Sequence, residues 1–495
     1  MSRRLIVGLA TATALAVSAV PAAPAEAART APSAGFPSGK FPLGPRQAPE
    51  RTHQSIARGV DLFHIRHGKS TDGYTVTVLM PNGRDHGTRE QAEAKAAEVE
   101  EAGLDLQPVV RRIVRPAVAD APAREYFAVH IGMWSLKNRS KADKVVAKLK
   151  KAGIRAKTDY LGDDGAKTTG PWDMHVLMVD PARFRGSYKA SVGKTVAKRE
   201  TTSAMSRLTK AIAGVNGGFF NIHTAKKLQG DPVGISVVNG KLLSEAVPGR
   251  SAVILKGRTA RITEVTTLLR VSSSTGAQTD VQGVNRAVGE DELVVYTEEF
   301  GQKTAADGGL EAVVDNTGVV LRIRRAGGAV PRGTWVLHGS GITAEWINSN
   351  VVEGGTLQFT PTVVDLRKRR TVRLTPDTHI VGGGVGLVRN GKTAINAKVN
   401  GHASVNMILR RHPRTLLGVT KSGGLILATV DGRKPGVAVG ASMTESAQLM
   451  RWLGAKQAIS LDGGGSTAMV VRHKVVNKPS DGRERPVGDA VFITP

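Results

Sequence analysis

The order of apolar and polar positions divides this chain before any single residue does. Over 74–80 they alternate with the period of a strand. Residues 88–102 then run as a charged amphipathic helix stopped by Gly103, and 107–110 opens another strand. The order recurs: a strand over 126–132, a helix over 140–152 stopped by Gly153, and a strand over 154–160. Strand–helix–strand, repeated, predicts a small α+β sandwich of ferredoxin-like type over 57–165.

From Trp172 onward the pattern changes to many short apolar runs with few helices, so the fold class is a strand-rich α+β. Asn239-Gly240, Asn390-Gly391 and Asp431-Gly432 sit between such runs as hairpin turns. Helices over 201–212 and 444–453 each precede a short apolar strand that ends in glycines. The first strand ends in Asn216-Gly217-Gly218-Phe219-Phe220, the second in Asp462-Gly463-Gly464-Gly465-Ser466-Thr467. Two copies of one order point to a shared role. The stretch from 256 to 377 is strand-rich without such clusters and reads as a β-rich insertion or scaffold.

The chain has 495 residues, enough for more than one domain. Its first four residues carry two arginines, an apolar run follows to Val20, and Ala25-Glu26-Ala27 is a small-residue cleavage site. Residues 1–27 therefore read as a secretory signal peptide, and the mature protein as secreted. No later stretch has the length of a transmembrane helix. Residues 28–56, rich in Pro and Ala, read as a disordered linker. With no cysteine, disulfides and thiolate chemistry are excluded. A net charge of +27 favours an anionic neighbour, and outside a cell an anionic wall polymer fits better than nucleic acid. Aromatic content of 4% also argues against a single-strand binder, which needs stacking platforms.

Asp462 is the leading carboxylate for acid/base work, at the end of a buried strand and beside free backbone N–H groups. An Asp capping its own tight turn is the plainer reading. Gly217, Gly218, Gly463 and Gly464 let a ligand approach the backbone, and Ser466 and Thr467 offer hydroxyls to phosphate oxygens. Asn216 can orient a sugar hydroxyl but cannot be an acid or base. Arg414, fixed beside Pro413, and Arg433 are candidate phosphate clamps. Asp431 supplies a second carboxylate or merely a turn. The paired phenylalanines 219 and 220 read as core rather than sugar platform. No metal-ligand spacing stands out and no cofactor is required; an oxygen-ligated divalent ion such as calcium on Asp462 or Asp431 stays open.

The ordered set over 172–495 resembles the phosphodiester glycosidase family, typified by N-acetylglucosamine-1-phosphodiester α-N-acetylglucosaminidase. It includes Asn216-Gly217-Gly218-Phe219-Phe220, Pro413-Arg414-Thr415, Asp431-Gly432-Arg433, Leu461-Asp462-Gly463-Gly464-Gly465-Ser466-Thr467 and Glu484-Arg485-Pro486-Val487. The resemblance implies hydrolysis of a sugar-1-phosphodiester at its glycosidic bond, with Asn216, Arg414, Asp431 and Asp462 as site residues. His412, where the family has Asn, and Leu416, where it tends to Ala, depart from the pattern. Separately, Trp134, Asn138 and the helix after them resemble a SPOR module, which implies docking on peptidoglycan. A purely structural α+β unit is the other reading there. A wall-binding protein without catalysis is the alternative for the whole chain.

Overall fold

The computed structural model describes residues 36–165 and 167–495; the signal-peptide expectation and the start of the expected linker lie outside them. Among the described residues no helix is long and apolar enough to cross a membrane.

An antiparallel eight-stranded sheet forms the centre. Its order is Glu50–Ala57, Val60–His67, Trp172–Val179, Leu425–Val430, Arg414–Thr420, Ala455–Ser460, Gly386–Arg389 and Lys392–Thr393. The middle strands are apolar on both faces because both faces are covered. Leu425–Val430 is buried throughout. On one face lies the helix Met443–Trp452, whose start is fixed by a capping box between Ser442 and Glu445. On the other lies a five-stranded sheet containing Ser187–Ser191, Ala213–Asn216, Met469–Val471 and Ala490–Thr494. Val215, Met469, Val491 and Ile493 from that sheet pack with Leu177, Leu417, Leu427 and Ile459 from the first. This contact holds the two glycine-ended strands in one core.

The linker expectation for 28–56 is corrected. Glu50–Ala57 is an edge strand of the main sheet, and Phe36, Phe41 and Leu43 are buried. Phe36 stacks on Phe63 at 3.9 Å, and Phe41 meets Trp452 edge-on at 5.4 Å. Three large apolar side chains spaced among Pro and Gly lose more by staying in water than the segment loses by being ordered.

The α+β unit has the expected strand order. Pro108–Arg115, Arg124–Trp134, Tyr74–Val78 and Ala156–Tyr160 pair antiparallel in that sequence, with helices Arg89–Glu101 and Arg139–Lys151 between them in the chain. The unit is inserted between two paired strands, since His67 lies opposite Trp172. It does not stand apart: Val76, Val78 and Leu149 share a core with Trp172, Met443 and Leu449. Arg410 from the main body forms ion pairs with Asp85 at 2.9 Å and Asp159 at 2.8 Å. The boundary at 57 is therefore displaced, because 50–67 belongs to the main sheet. The SPOR resemblance gains no support beyond this common topology.

Strands Ser251–Lys256 and Thr378–Gly382 pair with each other and carry the β-rich excursion between them. Its main strand, Thr259–Ser273, runs antiparallel to Leu357–Asp365, and a separate five-stranded sheet completes it. The turns at Asn239-Gly240 and Asn390-Gly391 take positive φ, as two-residue hairpins require. Asp431-Gly432-Arg433 does not close a hairpin: the chain leaves the sheet there, and Arg433 adopts φ 57°.

Candidate functional site

The two glycine motifs meet. Asp462 donates its N–H to the Gly217 carbonyl at 3.0 Å, and Asn216 Nδ2 donates to the Asp462 carbonyl at 2.8 Å. The strand ends of Ala213–Asn216 and Ala455–Ser460, the end of Leu425–Val430 and the start of Arg414–Thr420 thus share one edge.

Asn216 is fully buried and fully used. Its Oδ1 accepts from Thr415 Oγ1 at 2.7 Å and from the Ala468 N–H at 3.1 Å. No bond is left for a sugar, so the expected orienting role is replaced by that of a latch. Gly217 and Gly218 are likewise occupied. Gly217 donates to the Asp489 carbonyl at 2.9 Å, and Gly218 to Asp489 Oδ1 at 2.7 Å. Their N–H groups are not an anion nest; they are bound to Asp489 of the protein itself. The missing Cβ is what permits this, since one built on Gly217 would lie 2.3 Å from Asp489 Oδ1.

Asp462 is half-buried at the edge of this junction. Burial pushes its carboxyl up to about 6, against the pull of the Ser466 hydroxyl, the Gly463 N–H and the guanidinium groups of Arg485 and Arg433. Asp489, behind Gly217 and Gly218, is raised to about 7 by burial, with the Asp462 charge adding to it. Asp489 Oδ2 is buried without a hydrogen-bond partner. Neither periodicity nor the glycine motifs flagged Asp489. The usable signal was a carboxylate directly before the apolar run Ala490–Thr494.

The hydroxyls of Ser466 and Thr467 are buried, and no protein hydrogen bond of good geometry satisfies either. Arg433 is exposed, and a Cβ on Gly464 would lie 3.1 Å from its Nη1. Among the described residues it has no carboxylate partner, and its one polar contact is His412 Nδ1 at 3.5 Å. Gly464 donates its own N–H to the Pro413 carbonyl at 2.9 Å. A Cβ on Gly463 would press on that same carbonyl. Gly463 therefore serves close packing, whereas Gly464 has φ 60° and lies against the exposed Arg433 guanidinium.

Arg414 does not reach out as a clamp. It is buried and donates to the carbonyls of Ala441 at 2.8 Å, Met407 at 3.0 Å and Arg410 at 3.2 Å. Burial, helped by the Arg433 charge, pulls it down to about 9. It is a fixed positive charge under the site. Asp431 is also spent. Its oxygens accept from Asn477 Nδ2 and from the Lys478 N–H, both at 2.9 Å. Burial raises it to about 6, and it holds the 477–478 segment in place.

The aromatic pair divides. Phe220 is core, as expected, whereas Phe219 is half-buried and stacks on His402 at 4.9 Å, with the Arg250 guanidinium 5.9 Å from its ring centre. His402 is held down near 4 by burial and by Arg250 and Arg414, so it is neutral near pH 7. Phe219 sits over Gly384, beside Ser460, close to the Asp462 strand. Among the described residues, one group of three histidine or carboxylate side chains, His64, Asp173 and His175, brings its ligand atoms within 4.8 Å of one another.

This edge, with its half-buried carboxylate, exposed guanidinium and two buried hydroxyls, falls largely inside a segment with a recognised sequence signature. Residues 308–494 match the family model of the phosphodiester glycosidases. The match includes Arg414, Asp431, Arg433, Asp462 and Asp489 and leaves out Asn216. A crystal structure of a Burkholderia pseudomallei protein described as exported is 28% identical with TM-score 0.80, over 93% of this chain and 99% of that one. A Synechocystis protein of undescribed role shares the fold at 15% identity and TM-score 0.55, over 90% of this chain and 79% of its own. An uncharacterised prophage-derived protein of Bacillus subtilis is 35% identical over 111 residues. That stretch is 22% of this chain and 16% of the Bacillus protein, so the match spans about a sixth of that relative.

Proposed function

We propose that this chain is an exported hydrolase that cleaves a sugar-1-phosphodiester at its glycosidic bond, an N-acetylglucosamine-1-phosphodiester-like group in wall or exopolysaccharide material. The carrying observation is Asp462: a carboxylate with a raised pKa, half-buried beside the Ser466 hydroxyl and near Arg433, an exposed arginine with no carboxylate partner among the described residues. A phosphodiester leaving group already bears charge, so neutralising it matters more than one strong acid. Arg433 and the hydroxyls of Ser466 and Thr467 do this at the phosphate. Asp462, ionised, acts at the anomeric carbon as nucleophile or as base to water. Phe219 offers the sugar an apolar face. Asp489 fixes Gly217 and Gly218 and acts as a positioning residue. Export rests on the N-terminal sequence and on the Burkholderia protein described as exported. The anionic wall as surroundings rests on the charge of +27.

The test is incubation of the mature protein with a defined sugar-1-phosphodiester and identification of the products. Free sugar plus phosphomonoester supports the reading. Sugar phosphate plus alcohol means cleavage of a different bond. Binding to isolated walls with no release of sugar or phosphate favours a non-catalytic wall protein.

A further inference from the structure

We propose that His64, Asp173 and His175 form a binding site for a zinc-type metal ion at the stem of the inserted α+β unit. The register of the main sheet builds it. Asp173 and His175 are two apart on one strand and so face the same side. His64 lies directly opposite His175 on the neighbouring antiparallel strand. An i, i+2 pair plus the cross-strand neighbour gathers three side chains on one patch of the sheet with Cβ separations of about 5–7 Å. The His64 and His175 rings stack there with centroids 4.2 Å apart, so binding an ion turns one ring out of the stack to aim its nitrogen at the shared point. Their ligand atoms lie within 4.8 Å of one another.

The second observation is His175 itself. It is 7% exposed, and its Nδ1 is buried with no hydrogen-bond partner. An imidazole nitrogen left so is costly unless something binds it. The hydroxyl of Thr429, opposite His175 on the next strand, is buried and unpartnered as well. His64 Nε2 and Asp173 Oδ1 share a hydrogen bond of 2.7 Å, and a metal would take the place of its proton. Asp173 Oδ2 faces the half-exposed Lys478 ammonium at 3.5 Å, which balances the carboxylate charge while no cation is bound.

Two imidazoles and one carboxylate suit zinc, not calcium or magnesium, which take oxygen ligands. The place in the fold gives the ion a role. The chain leaves the main sheet after His67 and returns at Trp172, so the site ties the outgoing strand to the returning one. Bound metal would fasten the insertion to the body and stabilise the whole chain by mass action.

The full-length mature protein, stripped with chelator and dialysed against zinc chloride, is compared with His64→Gln and His175→Ala. His64 is partly exposed, so its variant is expected to fold; circular dichroism checks both. The expected result is one zinc more per chain in the wild type than in either variant. A melting temperature raised by a few degrees with zinc, but not with calcium, is expected in the wild type alone. Cobalt should give the intense visible bands of a four-coordinate ion only in the wild type. Equal zinc content in wild type and folded His64→Gln overturns the proposal, as does a wild type that retains none. Hydrolysis plays no part in these readouts, so they stand whatever the active-site experiments show.

Discussion

Asn216 and Asp462, 246 residues apart, are joined by a hydrogen bond of 2.8 Å from the Asn216 amide to the Asp462 carbonyl. The same side chain receives Thr415 and Ala468, so one amide stitches three segments beneath the carboxylate. Asn216→Ala would leave a buried carbonyl, hydroxyl and N–H without partners. At about 1–3 kcal/mol each, the expected loss of stability is at least about 3 kcal/mol. Urea unfolding of the variant checks it. A side chain that merely oriented sugar would cost turnover and leave the unfolding midpoint unchanged.

Asp462→Asn keeps the shape of the side chain and removes its charge. Turnover of a sugar-1-phosphodiester is expected to fall roughly 100-fold to 10,000-fold, the range for losing a positioned acid or base. The melting temperature should not fall, because the variant no longer buries an ionisable group. Normal turnover would remove Asp462 from the reaction.

The pH dependence follows from the two raised carboxyls. With Asp462 near 6 and acting ionised, kcat/KM should climb as pH passes through about 6. Stability runs the other way. Both Asp462 and Asp489 hold protons more tightly folded than unfolded, so their contribution is complete below about 4 and is lost as pH rises through about 6 and about 7. Asp489→Asn, which can still accept from Gly218, should therefore flatten the fall in stability between about pH 4 and 7. Parallel melting curves for variant and wild type over that range would refute this.

The twofold strand–helix–strand order, most helix limits and two of the three expected hairpin turns were legible because each depends on neighbours within about a dozen residues; the helix expected over 201–212 ends at Leu208, and Asp431-Gly432 closes no hairpin. The helix expected over 88–102 is Arg89–Glu101, and Asn239-Gly240 turns as its side chains require. The meeting of the two glycine motifs was also legible, since both end buried strands. What each polar residue does there was not. Asn216 and Asp431 have the right chemistry for a ligand, but partners from segments far along the chain use up their hydrogen bonds. Arg414 is taken up by carbonyls of Met407 and Arg410 just before it and of Ala441 further on, because the chain folds back over its guanidinium, which side-chain chemistry alone does not reveal. Asp489 was missed for the complementary reason. Its importance comes from the pairing of Ala490–Thr494 with Ala213–Asn216, which no local pattern encodes. The 28–56 segment misled because composition reports average polarity and not where three isolated apolar side chains find cover.

Phe41 tests that last point. Its ring lies among His67, Trp172 and Trp452, linking the N-terminal segment to the helix Met443–Trp452. Phe41→Ala is expected to destabilise the protein by about 3–5 kcal/mol, the cost of emptying a buried aromatic site. A true linker residue would change the denaturation midpoint by nothing measurable.

Arg433 and Arg414 are separated by what surrounds them. Arg433 is exposed and, among the described residues, has no carboxylate to hold it, so Arg433→Ala should leave stability within about 0.5 kcal/mol of the wild type. Its loss removes a charge-assisted bond to the phosphate, worth about 1.5–3 kcal/mol, so kcat/KM should fall roughly 10-fold to 150-fold. The loss should shrink at high salt, where the phosphate is already screened. Arg414→Ala instead strips three backbone carbonyls of their donor and should lower the unfolding midpoint strongly. Lysine separates the pair further. In Arg433→Lys the ammonium still meets a phosphate as a point charge and recovers part of the activity. In Arg414→Lys a single nitrogen cannot reach three carbonyls, and the fold is not recovered. Measured rates for Arg433→Lys equal to those of Arg433→Ala, with phosphodiester affinity intact in both, would take Arg433 out of the phosphate site.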